Sequence, residues 1–154
     1  MKILMVCLGN ICRSPLAEGI LKHKAAQAGL DWHVESRGTG SWHIGNLPDP
    51  RSIEKAAEYG IDITDQRSQQ IRKSDLEEYD IVYAMDSSNY QNIQAMAKSY
   101  QEKDKVKLIL NEASHGMNAA VPDPYWNDNG FEEVYQLLDE ACDRVVEKYA
   151  AKKD

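Results

Sequence analysis

Residues 3–8 (ILMVCL) are six apolar residues with no polar one among them. A strand with one wet face alternates apolar and polar positions, so an unbroken run containing β-branched Ile3 and Val6 reads as a strand buried on both faces. Such a strand belongs in a parallel sheet with helices on each side. Gly9-Asn10 ends the run. Ser14-Pro15 then reads as a helix N-cap and first-turn proline, and Leu16, Ala17, Ile20, Leu21 and Ala25 recur at helical spacing up to a stop at Gly29. The opening is strand, loop, helix.

The unit repeats. A strand expected at 32–37 leads through the loop GTGSWHIGNLPD into a helix opened by Asp49-Pro50 and closed by Gly60. A third strand, 81–85, passes Asp86 into a helix bearing Ile93, Met96 and Ala97. A fourth, 106–110, precedes the long loop NEASHGMNAAVPDPYWNDNG. The last helix carries Phe131, Val134, Tyr135, Leu138, Ala141, Cys142, Val145 and Tyr149 on one broad stripe, and KYAAKK reads as its solvated end. Alternating strands and helices predict an α/β fold, a four-stranded parallel sheet with helices on both faces. A flavodoxin-like strand order, 2-1-3-4, opens a crevice beside strand 1. Right-handed crossovers bring the Cys7, Trp42, Asp86 and Asp123 segments to that same edge.

At 154 residues, 42% hydrophobic and 28% charged, the chain fits one domain, 1–154. Its 18 basic and 25 acidic residues leave a net charge of -7, which argues against a nucleic-acid or anionic-membrane partner and confines any anion site to a local pocket. Three cysteines cannot all pair within the chain, so reduced thiols in a cytoplasmic protein are expected. The first apolar run is too short for a secretory signal, no stretch approaches a membrane span, and no internal repeat is visible.

The loop VCLGNICRSP gathers Cys7, Leu8, Gly9, Asn10, Ile11, Cys12, Arg13 and Ser14 at the strand-to-helix junction. Loops entering a helix direct unpaired backbone N–H groups and the positive end of the helix dipole toward one point, an anion site. Arg13 adds a planar fork suited to phosphate oxygens, and the same field favours a Cys7 thiolate. The Gly-Lys-Ser/Thr ending of a nucleotide-binding loop is absent. Cys7 and Cys12 do not make a zinc pair, because no second close pair of ligands accompanies them; no metal is expected.

Cys, five residues, Arg, Ser between a strand and a helix resembles the signature loop of protein tyrosine phosphatases. The string VCLGNICRSPLAE, with DPY at 123–125 and AMDSSN after strand 3, resembles the low-molecular-weight protein tyrosine phosphatase family over essentially the whole chain. The resemblance implies that Cys7 attacks phosphorus, that Arg13 and loop N–H groups hold the phosphoryl oxygens, and that Asp123 is general acid and then base. Ser14 would hydrogen-bond the thiolate, Asn10 and Ser36 would support the loop, and Cys12 would be a redox partner for Cys7. It implies a monomer that needs no cofactor and acts on tyrosine-phosphorylated proteins, a tyrosine kinase among the candidates.

Leu8, Ile11, Trp42, Tyr125 and Trp126 would wall the substrate ring. Members acting on phosphoarginine carry threonine where Ile11 stands. Mammalian members have a histidine before strand 3 that joins the Asn10 network, replaced here by the histidine-free TDQRSQQI, and a second tyrosine where Trp126 stands. A thiol-coupled arsenate reductase would need cysteines near Met85-Asp86. A non-catalytic phosphotyrosine-binding module would lack the nucleophile or the acid. Cys142 is expected in the core, Asp86 as a helix cap, and His43 at the surface or on the rim of the crevice.

Overall fold

The computed structural model describes residues 1–150; the rest of the KYAAKK end lies outside the described residues. Four parallel strands, β1 (Lys2–Cys7), β2 (His33–Gly38), β3 (Ile81–Ala84) and β4 (Val106–Leu108), lie in the order β2-β1-β3-β4, as the flavodoxin-like reading expects. β1 is central, with Met5 opposite Ser36 on one side and Tyr83 on the other. Its alternate residues enter two cores. Ile3, Met5 and Cys7 join Leu16 and Ile20 of α1 (Arg13–Gln27) and Leu138 and Val145 of α6 (Gly130–Ala150). Leu4 and Val6 join Leu76 of α3 (Asp75–Glu78) and Ile93 of α4 (Ser87–Met96). Covering both faces removes the wet side, which is why residues 3–7 show no alternation.

The element boundaries differ from the expected ones for identifiable reasons. β1 stops at Cys7 because the Leu8 carbonyl turns to accept the Gly40 N–H at 2.9 Å. β2 runs to Gly38, where the main chains crowd: a Cβ there would meet the Leu8 carbonyl oxygen at 2.9 Å. β4 is short and tightens into a 3₁₀ turn, Ile109–Glu112. Ser14 is not the cap of α1. The helix starts at Arg13 behind Cys12, and the Ser14 hydroxyl is spent on interior bonds described below. α2 (Pro50–Glu58) is capped as expected, Asp49 Oδ1 accepting the Arg51 N–H at 2.9 Å, and Gly60 follows it at φ 78°. Short α3 and α5 (Tyr100–Asp104) had no periodic signal. Cys142 is fully buried. No helix among the described residues is long and apolar enough to cross a membrane.

Candidate active site

Beyond the C-terminal ends of the strands, a cavity of about 430 Å³ is lined by Cys7, Leu8, Gly9, Ile11, Cys12, Arg13, Trp42, His43, Asp123, Tyr125 and Trp126. The crossovers therefore deliver the phosphate-type loop, the Trp42 loop and the Asp123 loop to one place. His43 is more than a surface residue: it packs against Gly9, where an added Cβ would come within 3.1 Å of its ring.

Among the described residues, the amides of Leu8, Gly9, Ile11, Cys12 and Arg13 donate to no protein acceptor. The Asn10 amide instead donates to Cys7 Sγ at 3.2 Å, which Asn10 reaches by adopting φ 58°, a left-handed conformation that asparagine tolerates. Arg13 is only 4% exposed. Its Nη1 donates to Asp86 Oδ2 at 2.8 Å and to the Val121 carbonyl at 3.0 Å, while Nη2 lies 3.9 Å from Asp123 Oδ2. Burial works against the Arg13 charge, but Cys7, Asp86 and Asp123 outweigh it and hold the guanidinium above its ordinary range. Asp86 thus has two jobs: Oδ1 caps α4 through the Asn89 N–H at 2.8 Å, as expected, and Oδ2 aims Arg13.

A chain of hydrogen bonds sets which way the Ser14 proton points. The Gln69 backbone N–H donates to Asn10 Oδ1 at 2.9 Å, so Asn10 Nδ2 faces Ser14 Oγ at 2.8 Å and Ser36 Oγ at 2.9 Å. Both serines accept there. Ser36 therefore sends its own proton to Glu18 Oε1 at 2.7 Å, and the Ser14 proton is left for Cys7 Sγ at 3.0 Å, nearer than the Arg37 carbonyl at 3.4 Å. Two donors converge on the sulfur. Burial lifts the Glu18 carboxyl above the usual range against the pull of Lys22 and Ser36.

The Asp123 loop is built differently. Asp123 Oδ1 accepts the Tyr125 N–H at 3.1 Å, capping the short turn Pro124–Trp126, and leaves Oδ2 toward Arg13. Arg51 spans from α2 to this loop. It grips Asp49 with Nε at 2.9 Å and Nη2 at 2.8 Å, donates to the Tyr125 carbonyl at 3.1 Å, and pairs with Asp128. The Asp49 N–H donates to the Ile11 carbonyl at 2.8 Å, so Arg51 links the two loops across the cleft. Cys12 lies beside Asp49. Burial first, then Asp49, Cys7 and Asp123, push its thiol up to about 12.

The family model for low molecular weight phosphotyrosine protein phosphatases matches residues 2–154. The chain belongs to that family. It is 42% identical over 143 residues to the low molecular weight phosphotyrosine protein phosphatase of Schizosaccharomyces pombe, covering 90% of each chain. The crystal structure of YfkJ from Bacillus subtilis matches at TM-score 0.93 and 36% identity, over all of this chain and 97% of that one. DARP, a Drosophila arginine phosphatase, matches at TM-score 0.91 and 33% identity, over 100% and 99% of the two chains.

Family membership gives the Asn10 network a point of comparison. The histidine that mammalian members contribute has no counterpart in 64–71; the backbone of the same segment bonds Asn10 instead. Residues 68–71 lie along β2, with the Gly38 N–H donating to the Gln69 carbonyl and the Ile71 N–H to the Gly38 carbonyl, both at 2.8 Å. Ser68 Oγ then reaches the Gly9 carbonyl at 3.1 Å. Asp86 aiming Arg13, Arg51 spanning the loops, and Glu18 ending the serine chain were not singled out from sequence. A carboxylate inside the buried stretch 13–21 of α1 was the one available signal for Glu18.

Proposed function

We propose that this chain hydrolyses phosphotyrosine in proteins through a cysteinyl-phosphate intermediate. The observation that carries the reading is that the loop whose five amides have no protein acceptor lines one cavity together with Cys7 and buried Arg13. Amide dipoles and a guanidinium aimed at one point stabilise the charge of a transferring phosphoryl group without reorganising during the reaction. Cys7 Sγ attacks phosphorus in line as the phenolic oxygen departs, and Asp123 gives that oxygen its proton. Asp123 then takes a proton from water as the water attacks the phosphocysteine, and the Ser14 hydroxyl stabilises the sulfur as it leaves.

Leu8, Ile11, Trp42, Tyr125 and Trp126 supply apolar walls suited to a phenyl ring. Ile11 offers no hydroxyl, unlike the threonine of phosphoarginine-directed members, which favours phosphotyrosine here. We read the protein as a single-domain monomer, and its three unpaired thiols suit a reducing cytoplasm. A tyrosine kinase is among the phosphoproteins that fit as substrate.

Cys12 serves as redox partner. Peroxide oxidises Cys7 to a sulfenic acid, and the Cys12 thiol condenses with it to release water and form a disulfide that a dithiol reopens. Cys12→Ser is expected to lose activity irreversibly under peroxide that the wild type survives.

The substrate reading is tested with matched peptides bearing phosphotyrosine, phosphoserine, phosphothreonine or phosphoarginine, with arsenate reduction assayed alongside. Phosphotyrosine is expected to give the highest kcat/KM. A higher value for any other arm overturns the assignment.

A further inference from the structure

The rim of the cleft carries information that the catalytic groups do not use. On the Trp42 loop, Trp42, Ile44 and Leu47 are 71%, 57% and 48% exposed; across the cleft Trp126 is 87% exposed. These side chains are held outward by a fixed scaffold. The Trp42 ring lies over Gly40, where any Cβ would collide with it at 1.9 Å. The Gly45 N–H donates to the Ser68 carbonyl and the Ser68 N–H to the Asn46 carbonyl, both at 2.8 Å, so the turn is fastened to the same segment that supports the phosphate loop.

The charges around this rim are one-sided. Residues 38–49 and 111–130 contain none of the chain's 18 lysines and arginines, yet they contain Asp49, Glu112, Asp123 and Asp128. Glu112 is paired with Lys148. Arg51, which reaches the mouth from α2, is already committed to Asp49 and Asp128. Arg13 lies buried in the floor, bonded to Asp86, where a phosphate meets it but a neighbouring side chain does not. A carboxylate beside the phosphotyrosine would be drawn from water onto Trp and Leu surfaces, while the rim guanidinium Arg51 is already engaged by Asp49 and Asp128. An apolar neighbour would cover Ile44, Leu47 and Trp126 and release their water.

We propose that the rim selects phosphotyrosine segments whose adjacent residues are apolar and discriminates against acidic ones. The inference rests on the phosphotyrosine reading above and adds the local sequence that reading leaves open. Specificity here comes from both sides: apolar contact rewards one class of substrate, and the cost of drying a carboxylate against apolar surface rejects the other.

The test compares kcat/KM for three peptides of one length, with leucine and valine, alanine only, or glutamate on both sides of phosphotyrosine, at fixed ionic strength. The apolar peptide is expected to exceed the acidic one by on the order of tenfold or more, with alanine between them. Neither Ile44 nor Leu47 lines the cleft. The double variant Ile44→Ser, Leu47→Ser is therefore expected to flatten the apolar preference while Tm and hydrolysis of a small aryl phosphate stay unchanged. Equal values for the three peptides, or a preference for the acidic one, overturn the proposal. So does specific activity that falls as enzyme concentration rises, which would assign the patch to a second copy of the chain. Failure to hydrolyse all three, with phosphoarginine peptide turned over normally, removes the phosphotyrosine reading itself.

Discussion

The phosphate loop and the Asp123 loop face each other across one cleft, yet they are held by opposite means. Asn10 and Arg13 are 2% and 4% exposed and are bonded inward to Ser14, Ser36, Asp86 and the Gln69 backbone. Asp123 is 41% exposed and Asp128 82%, and their loop is tied across the cleft mainly by one surface guanidinium, Arg51. Groups that stabilise a developing charge gain from fixed dipoles in a dry setting. Groups that let a substrate in and a product out need a region that opens at low cost. The fold gives the first task to its interior and the second to its rim.

This contrast is testable by weakening each side. Asp123→Ala is expected to cost about 10² to 10⁴ in rate on phosphotyrosine peptide and far less on aryl phosphates with acidic leaving groups, since only a basic phenolate needs the proton. Uniform slowing across a leaving-group series would detach Asp123 from proton transfer. Arg51→Ala should reproduce the same leaving-group trend at reduced size, roughly 10- to 100-fold, because it displaces the acid without removing it. Inhibition by inorganic phosphate reports on the other loop and should stay constant. Arg51→Lys keeps the charge without the fork and should fall between. A changed phosphate affinity in Arg51→Ala would mean that the phosphate loop itself leans on the link through Asp49 to Ile11.

The smallest expected effect lies beneath the phosphate loop. Glu18 has a carboxyl raised by burial above its ordinary value of 4.5. Such a group binds its proton more tightly in the folded protein. Its contribution to stability is therefore full below the unfolded value and is lost as pH rises through the raised folded value. Glu18→Gln still accepts the Ser36 proton but carries no charge, so its Tm should decline less than that of the wild type as pH rises above the ordinary carboxyl value of 4.5. Superimposable Tm profiles would remove Glu18 as the titrating group.

The strand order and the convergence of the loops were legible because they rest on local periodicity and on handedness rules that hold for any parallel sheet. The parts that were not legible are long-range. Arg13 to Asp86 spans 73 residues and Arg51 to Tyr125 spans 74, and no local pattern in either partner marks the pair. Ser14 shows a local signal overridden: Ser-Pro has the form of a helix cap, but the hydroxyl is worth more between Asn10 and Cys7 than at the helix end. The histidine-free segment illustrates a further gap. A backbone N–H closes the Asn10 network, and backbone groups leave no trace in residue identity.

The central claim is that the interior loop holds a sulfur nucleophile and the phosphate it receives. Rapid acid quench of the enzyme during turnover of a phosphotyrosine peptide, followed by proteolysis and mass spectrometry, tests it directly. The account predicts phosphate on Cys7 in the wild type, and a Cys7→Ser protein that keeps its fold and phosphate affinity but neither turns over nor carries the modification. Phosphate on another residue, or undiminished hydrolysis by Cys7→Ser, would contradict it.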